Sequence, residues 1–145
     1  MANVTKNLDQ TIDTVLFDRT IRGAIALCFE NERTLQGLAG LLDWRFGGSF
    51  SNFLRIGSFT GKPGECVYLP IKRADHLYHL FFIGGGMMKK SAGRPSLPST
   101  SLTHLIQNLN GMNLTPLGLS RSDFDDDSIK TLSQEVEGVQ LWLGK

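Results

Sequence analysis

Three consecutive glycines, Gly84, Gly85 and Gly86, with Lys89, Lys90 and Arg94 close behind, carry the strongest chemical signal in the sequence. Glycines at the carboxyl end of a strand let backbone N–H groups approach a phosphate, and ligands of α/β sheets lie outside such strand ends. The lysines would supply counter-charge. Gly84, Gly85, Gly86, Lys89 and Lys90 are therefore the candidate ligand-binding residues, and the ligand class is a small molecule bearing phosphate. The spacing matches neither a dinucleotide fingerprint nor a P-loop, and no helical pattern follows directly, so a plain turn with a basic loop competes with this reading.

The remaining reactive side chains are dispersed. Asp123, Asp125, Asp126 and Asp127 could attract a cation weakly, but acidic residues at this spacing also suit a helix start, where the dipole favours negative charge. His76 and His79 form an H-x-x-H pair on a strand pattern; residues three apart on a strand face opposite sides and cannot share a metal. His104 falls on the polar side of a helical pattern, and Lys62 lies in a Gly- and Pro-rich turn, where a solvated role is expected. Cys28 and Cys66 sit in apolar runs, which suits buried structural thiols rather than a nucleophile. No catalytic set, metal site or cofactor is expected from these residues.

The elements that must position these groups alternate in period. Strands are expected over residues 14–17 (TVLF), 24–29 (AIALCF), 66–69 (CVYL, stopped by Pro70), 77–83 (LYHLFFI), 115–119 and 139–143. Helices are expected over residues 34–44, with Leu35, Leu38 and Leu42 on one face, and from Ser49 to Ile56, terminated by Gly57. A third starts at Ser99 or Ser101, carries Leu102, Leu105, Ile106 and Leu109, and ends at Gly111. A fourth starts at residues 125–127 and carries Ile129, Leu132 and Val136. Residues 87–98 show no period. This alternation predicts a three-layer α/β/α sandwich with a mixed sheet, in one domain over residues 1–145.

Composition narrows the class. The chain is 41% hydrophobic and 20% charged, which suits a globular protein, and 145 residues can bury a full core without metal or disulfide. Fifteen Lys and Arg against fourteen Asp and Glu give a net charge of +1, which argues against a dedicated nucleic-acid binder. No apolar run reaches the ~20 residues of a membrane span, and the polar amino terminus lacks a secretory signal, so a cytoplasmic location is expected.

The stretch SFSNFLRIGSFTGKPGECVYLPI, followed by HLFFIGGG, resembles the amino-terminal domain of the cytosolic leucyl aminopeptidases. The likeness rests on a short helix, a G-F-x-G-K-x-G-E-like turn (Gly57, Phe59, Gly61, Lys62, Gly64, Glu65), a strand, and a strand ending in glycines. It covers most of residues 14–86. The resemblance implies a macro-domain-like fold and, with it, a nucleotide or ADP-ribose-like ligand as one option. In that family the metal-binding carboxylates and lysines belong to a separate carboxy-terminal domain, and no NTDAEGR-like or DTGG-like stretch occurs here. The expectation is a free-standing, non-catalytic binding or assembly module, acting by self-association or on a protein partner. Some two-domain relatives bind DNA through this region, but the near-neutral charge argues against it here.

Overall fold

The computed structural model describes residues 4–30, 35, 37–57, 59–87, 97–110, 116–136 and 140–145. Its elements run β1 (Val4–Asn7), α1 (Ile12–Phe17), β2 (Gly23–Cys28), α2 (Gly37–Arg45), α3 (Ser49–Arg55), β3 (Cys66–Arg73), β4 (His76–Gly84), α4 (Ser99–Leu109), β5 (Leu117–Ser120), α5 (Asp126–Glu135) and β6 (Leu141–Gly144). The strands form one six-stranded sheet in the order β1-β6-β5-β2-β4-β3. Every neighbouring pair is parallel except the β3–β4 hairpin, so the sheet is mixed.

Strand β2 shows how the layers form. All six of its residues are buried, as a strand covered on both faces requires. Ala24, Ala26 and Cys28 point into one core with α1, α2 and α3, while Ile25 and Leu27 point into a second core with α4 and α5. The expected three-layer sandwich is therefore present. Close packing on the α1 side depends on absent side chains: a Cβ at Gly118 would fall 2.6 Å from Ile21 and 2.8 Å from Ile12, so α1 rests directly on the β5 backbone.

Several elements differ from expectation. Residues 14–17 are helical, not a strand; Ile12, Val15 and Leu16 are buried at three- and four-residue spacing while Thr14 is exposed. The apolar run TVLF was too short to separate the two periods. Strand β1, within the polar amino terminus, had no apolar pattern to announce it; it pairs with β6 through its backbone.

Pro70 does not stop β3. His79, its cross-strand neighbour, gives its N–H to Arg22 on the far side, and Gly84 gives its N–H to Glu65. The alternation of an antiparallel ladder then puts the Pro70 nitrogen on the open edge of the sheet, where no ladder bond is lost. The missing donor also blunts that edge against pairing with another chain.

Helix α3 runs over the expected segment, and Asp43 caps it by accepting the Phe50 and Ser51 N–H groups at 2.9 Å each. Helix α4 begins after Pro98 with no side-chain cap, so neither Ser99 nor Ser101 caps it. Asp125 caps α5 by accepting the Ser128 N–H at 2.9 Å. Gly111, Thr115 and Val139 lie outside the described residues. No helix among the described residues is long and apolar enough to cross a membrane.

Candidate functional site

The carboxyl ends of β2, β4, β5 and β6 lie along one edge of the sheet, since these strands run parallel. The expected site residues Gly84, Gly85 and Gly86 are on this edge, where Gly84 pairs with Cys28. Lys89, Lys90 and Arg94 lie outside the described residues.

The glycine N–H groups already have acceptors. Gly84 donates to the Glu65 carbonyl at 2.9 Å, Gly85 to Cys28 at 2.8 Å and Gly86 to Gly61 at 2.9 Å. The Gly86 carbonyl in turn accepts the Glu30 N–H at 2.8 Å. A phosphate seated here would have to displace these bonds, because each N–H has one proton to give. What the glycines permit is close approach of the 59–65 loop: a Cβ on Gly84 would fall 1.9 Å from the Lys62 carbonyl oxygen.

Two side chains that the sequence did not single out in these roles lock that loop. The Ser101 hydroxyl, fully buried on α4, donates to the Gly84 carbonyl at 2.5 Å and accepts the Gly64 N–H at 2.7 Å. One hydroxyl thus joins loop, strand end and helix. The Glu65 carboxylate accepts the Lys62 N–H at 2.7 Å, the Thr60 hydroxyl at 2.7 Å and the Thr60 N–H at 3.1 Å. Burial pushes the Glu65 pKa up, but the Thr60 hydroxyl and the Lys62, Thr60 and Gly61 N–H groups outweigh it and hold the carboxyl below its ordinary value. His104 adds a third tie: its Nδ1–H donates to the Gly64 carbonyl, which fixes the tautomer. Lys62 itself is exposed, as expected of a turn residue.

A cleft of about 400 Å³ opens further along the same edge, lined by Thr11, Gly37, Leu38, Leu41, Ser120, Ser122 and Lys145. Its volume is in the range of small-molecule sites. Its wall offers hydroxyls, one cation and two leucines. Asp123 stands behind it, largely buried, accepting the Leu38 N–H at 3.4 Å at the start of α2. A protein carboxylate therefore already occupies the place an external anion would take at that helix start. A second, apolar pocket of about 20 Å³ between α3 and the sheet, with Cys28, Phe50 and Phe82 in its wall, holds no more than one water-sized group.

The other candidates stay apart. Asp123 turns to α2 and Asp125 caps α5, while Asp126 and Asp127 are exposed on the first turn of α5. Tyr78 belongs to the core on the α1 side and Phe81 to the core on the α4 side, so the strand alternates and carries His76 and His79 to opposite faces. His79 Nδ1 and the Tyr68 hydroxyl share a hydrogen bond at 2.6 Å; burial first, then Arg22 and His76, hold the His79 pKa below the ordinary value. The Cys66 thiol is pushed up by burial, against a weaker opposing hydrogen bond from Asn108, which disfavours the thiolate. No group of three His, Cys, Asp or Glu positioned for a metal occurs among the described residues.

No family model matches the sequence. A probable cytosol aminopeptidase of Synechococcus sp. (strain WH7803) is 43% identical over 44 residues, which is 30% of this chain and 9% of that protein. Among solved structures, a mutant tomato leucine aminopeptidase superposes with a TM-score of 0.60 at 13% identity, covering 97% of this chain and 32% of the aminopeptidase. The macrodomain of Mycobacterium tuberculosis DarG gives a TM-score of 0.67 at 11% identity, covering 99% of this chain and 98% of the macrodomain. That of Thermus aquaticus DarG gives 0.62 at 9% identity, with 97% of each chain covered. The fold is macrodomain-like, and the resemblance to the amino-terminal region of the leucyl aminopeptidases holds in both sequence and structure. The chain spans only a small part of the curated protein it resembles.

Proposed function

We propose that this chain is a non-catalytic binding or assembly module, related to the amino-terminal region of the leucyl aminopeptidases and acting in the cytoplasm through its surface. The observation that supports this most is the combination of a macro-like fold with chemistry-bearing side chains used structurally: Glu65, Asp43, Asp125 and Ser101 each hold a loop or a helix start. Size-exclusion chromatography with a pull-down tests it. Self-association or a reproducible partner is expected; an inert monomer that captures nothing would overturn it. Incubation with leucine p-nitroanilide and manganese or zinc is expected to give no turnover above blank.

A second reading is a binding domain for a nucleotide or an ADP-ribose-like phosphate. The cleft beside Ser120 and Lys145 and the likeness to two macrodomains favour it. In this reading residues 84–86, with Lys89 and Lys90, contribute from the end of β4, beyond β2 on the same edge, and the ligand must compete with the internal hydrogen bonds of the glycines. Thermal shift against a nucleotide panel decides: no shift at millimolar ligand removes this reading and leaves the first intact.

A further inference from the structure

At the other end of the sheet, where the parallel strands begin, α1 ends at Phe17, α2 at Arg45 and β3 at Arg73. These ends meet. The Arg45 guanidinium lies 5.2 Å from the centroid of the Phe17 ring and 5.7 Å from that of Trp44. The Arg73 guanidinium lies 6.0 Å from the Phe17 centroid and 5.8 Å from that of Phe46, and Phe17 and Phe46 are themselves 5.1 Å apart. Aromatic rings and cations thus alternate in one strip, with Trp44 76% exposed at its end.

Of the two arginines in the strip, only Arg45 has a carboxylate partner among the described residues. Arg45 spends its Nε and one terminal nitrogen on Asp13 Oδ2, each at 3.1 Å. Arg73 gives one N–H to the Arg45 carbonyl at 2.7 Å, and it makes no ion pair with a carboxylate among the described residues. Asp43 on α2 and Asp18 just past the end of α1 are hydrogen-bonded elsewhere: Asp43 caps α3, and Asp18 accepts the Thr20 N–H at 2.9 Å. The Arg73 fork is therefore exposed, held against two rings and tied to a helix end, with donors left over. A guanidinium fixed in this way loses little freedom on meeting a carboxylate. Trp and Arg are also the side chains on which protein interfaces concentrate their binding energy.

We propose that this strip docks an acidic segment of a protein partner, one carboxylate pairing with Arg73 and an adjacent aromatic or leucine side chain lying on Trp44. The proposal rests on the binding-module reading and names the partner's chemistry. A second copy of this chain fits less well, because a two-fold contact through the strip brings arginines against arginines. Nucleic acid fits less well because one unpaired guanidinium replaces few phosphate counterions.

The test is a titration of the full chain with a short glutamate-rich peptide carrying one phenylalanine, against the same peptide with glutamines. Trp142→Phe leaves Trp44 as the single indole for fluorescence, and calorimetry on the unaltered chain covers the case in which that variant folds poorly. Saturable binding of the glutamate peptide is expected, weakened by added salt, about fivefold by Arg73→Gln and about tenfold by Trp44→Ala. Equal binding of the glutamine peptide, no saturation at millimolar peptide, or displacement by a single-stranded oligonucleotide would each overturn it. So would a dimer that Arg73→Gln dissolves. A partner captured equally by the unaltered chain and by both variants removes the strip but leaves the binding-module reading standing.

Discussion

The two ends of the sheet use polar groups in opposite ways. At the carboxyl end, Gly84, Gly85, Gly86, Ser101 and Glu65 satisfy one another, and the 59–65 loop is pinned by bonds that stay inside the chain. At the amino end, Arg73 lies over the Phe17 and Phe46 rings and Trp44 lies against the Arg45 guanidinium, both exposed with capacity to spare. Glycine-rich chemistry thus serves packing, and the outward-facing chemistry lies among residues that carry no motif. A motif identifies backbone freedom; only hydrogen-bond accounting says whether that freedom is still available to a ligand.

Substitutions at the closed end should have the largest effects. Gly84→Ala places a Cβ 1.9 Å from the Lys62 carbonyl oxygen, and backbone rather than a flexible side chain must yield. A loss of about 3 kcal/mol is expected in urea denaturation; a loss below ~1 kcal/mol would mean the loop is not seated as described. Ser101→Ala leaves the Gly64 N–H and Gly84 carbonyl without their shared partner, for about 2 kcal/mol, with faster amide exchange at Gly64 as the local signature.

Lowering the pH removes stability at both Glu65 and His79. Glu65 is held below its ordinary pKa, so its contribution is present above the unfolded value and is lost as pH falls through the folded one. His79 is also depressed, so protonation opposes the fold as pH drops below the ordinary histidine value. Stability measured against pH should therefore fall from about pH 6 downward, with Glu65→Gln flattening the steeper section below about pH 4. Peptide binding at the Arg73 strip should weaken where the peptide's own glutamates protonate.

Smaller effects test the hairpin that carries Arg73. Ala74, in its two-residue turn, has φ of +56°, which a side chain resists. Ala74→Gly should stabilise the chain by about 0.5–1 kcal/mol, read from the same urea curves. Arg73→Gln should cost under ~0.5 kcal/mol while still weakening the acidic peptide. A large loss of stability there would make Arg73 a structural clamp and erase the contrast between the two ends.

Much of the fold was legible in residue order. The apolar run of β2, the helical spacing of Leu105 and Leu109, and the glycines after β4 each marked an element that exists. What was not legible had separate causes. Residues 14–17 were too short to show a period, β1 pairs through backbone with little apolar signature, and Pro70 is harmless because of the direction its nitrogen faces. The candidate site was half legible: the position of residues 84–86 at a strand end was readable, whereas the occupation of their N–H groups was not.

The sequence by itself determined the layered α/β class, the buried central strand and the turn that links this chain to the aminopeptidases, because these follow from local period and local backbone freedom. Only the tertiary structure decided which polar groups remain available. Ser101 meets Gly64 and Gly84 across separations of 37 and 17 residues, and Arg73 meets Arg45 across 28. A hydrogen bond depends on position in space, and chain order constrains that weakly over such intervals.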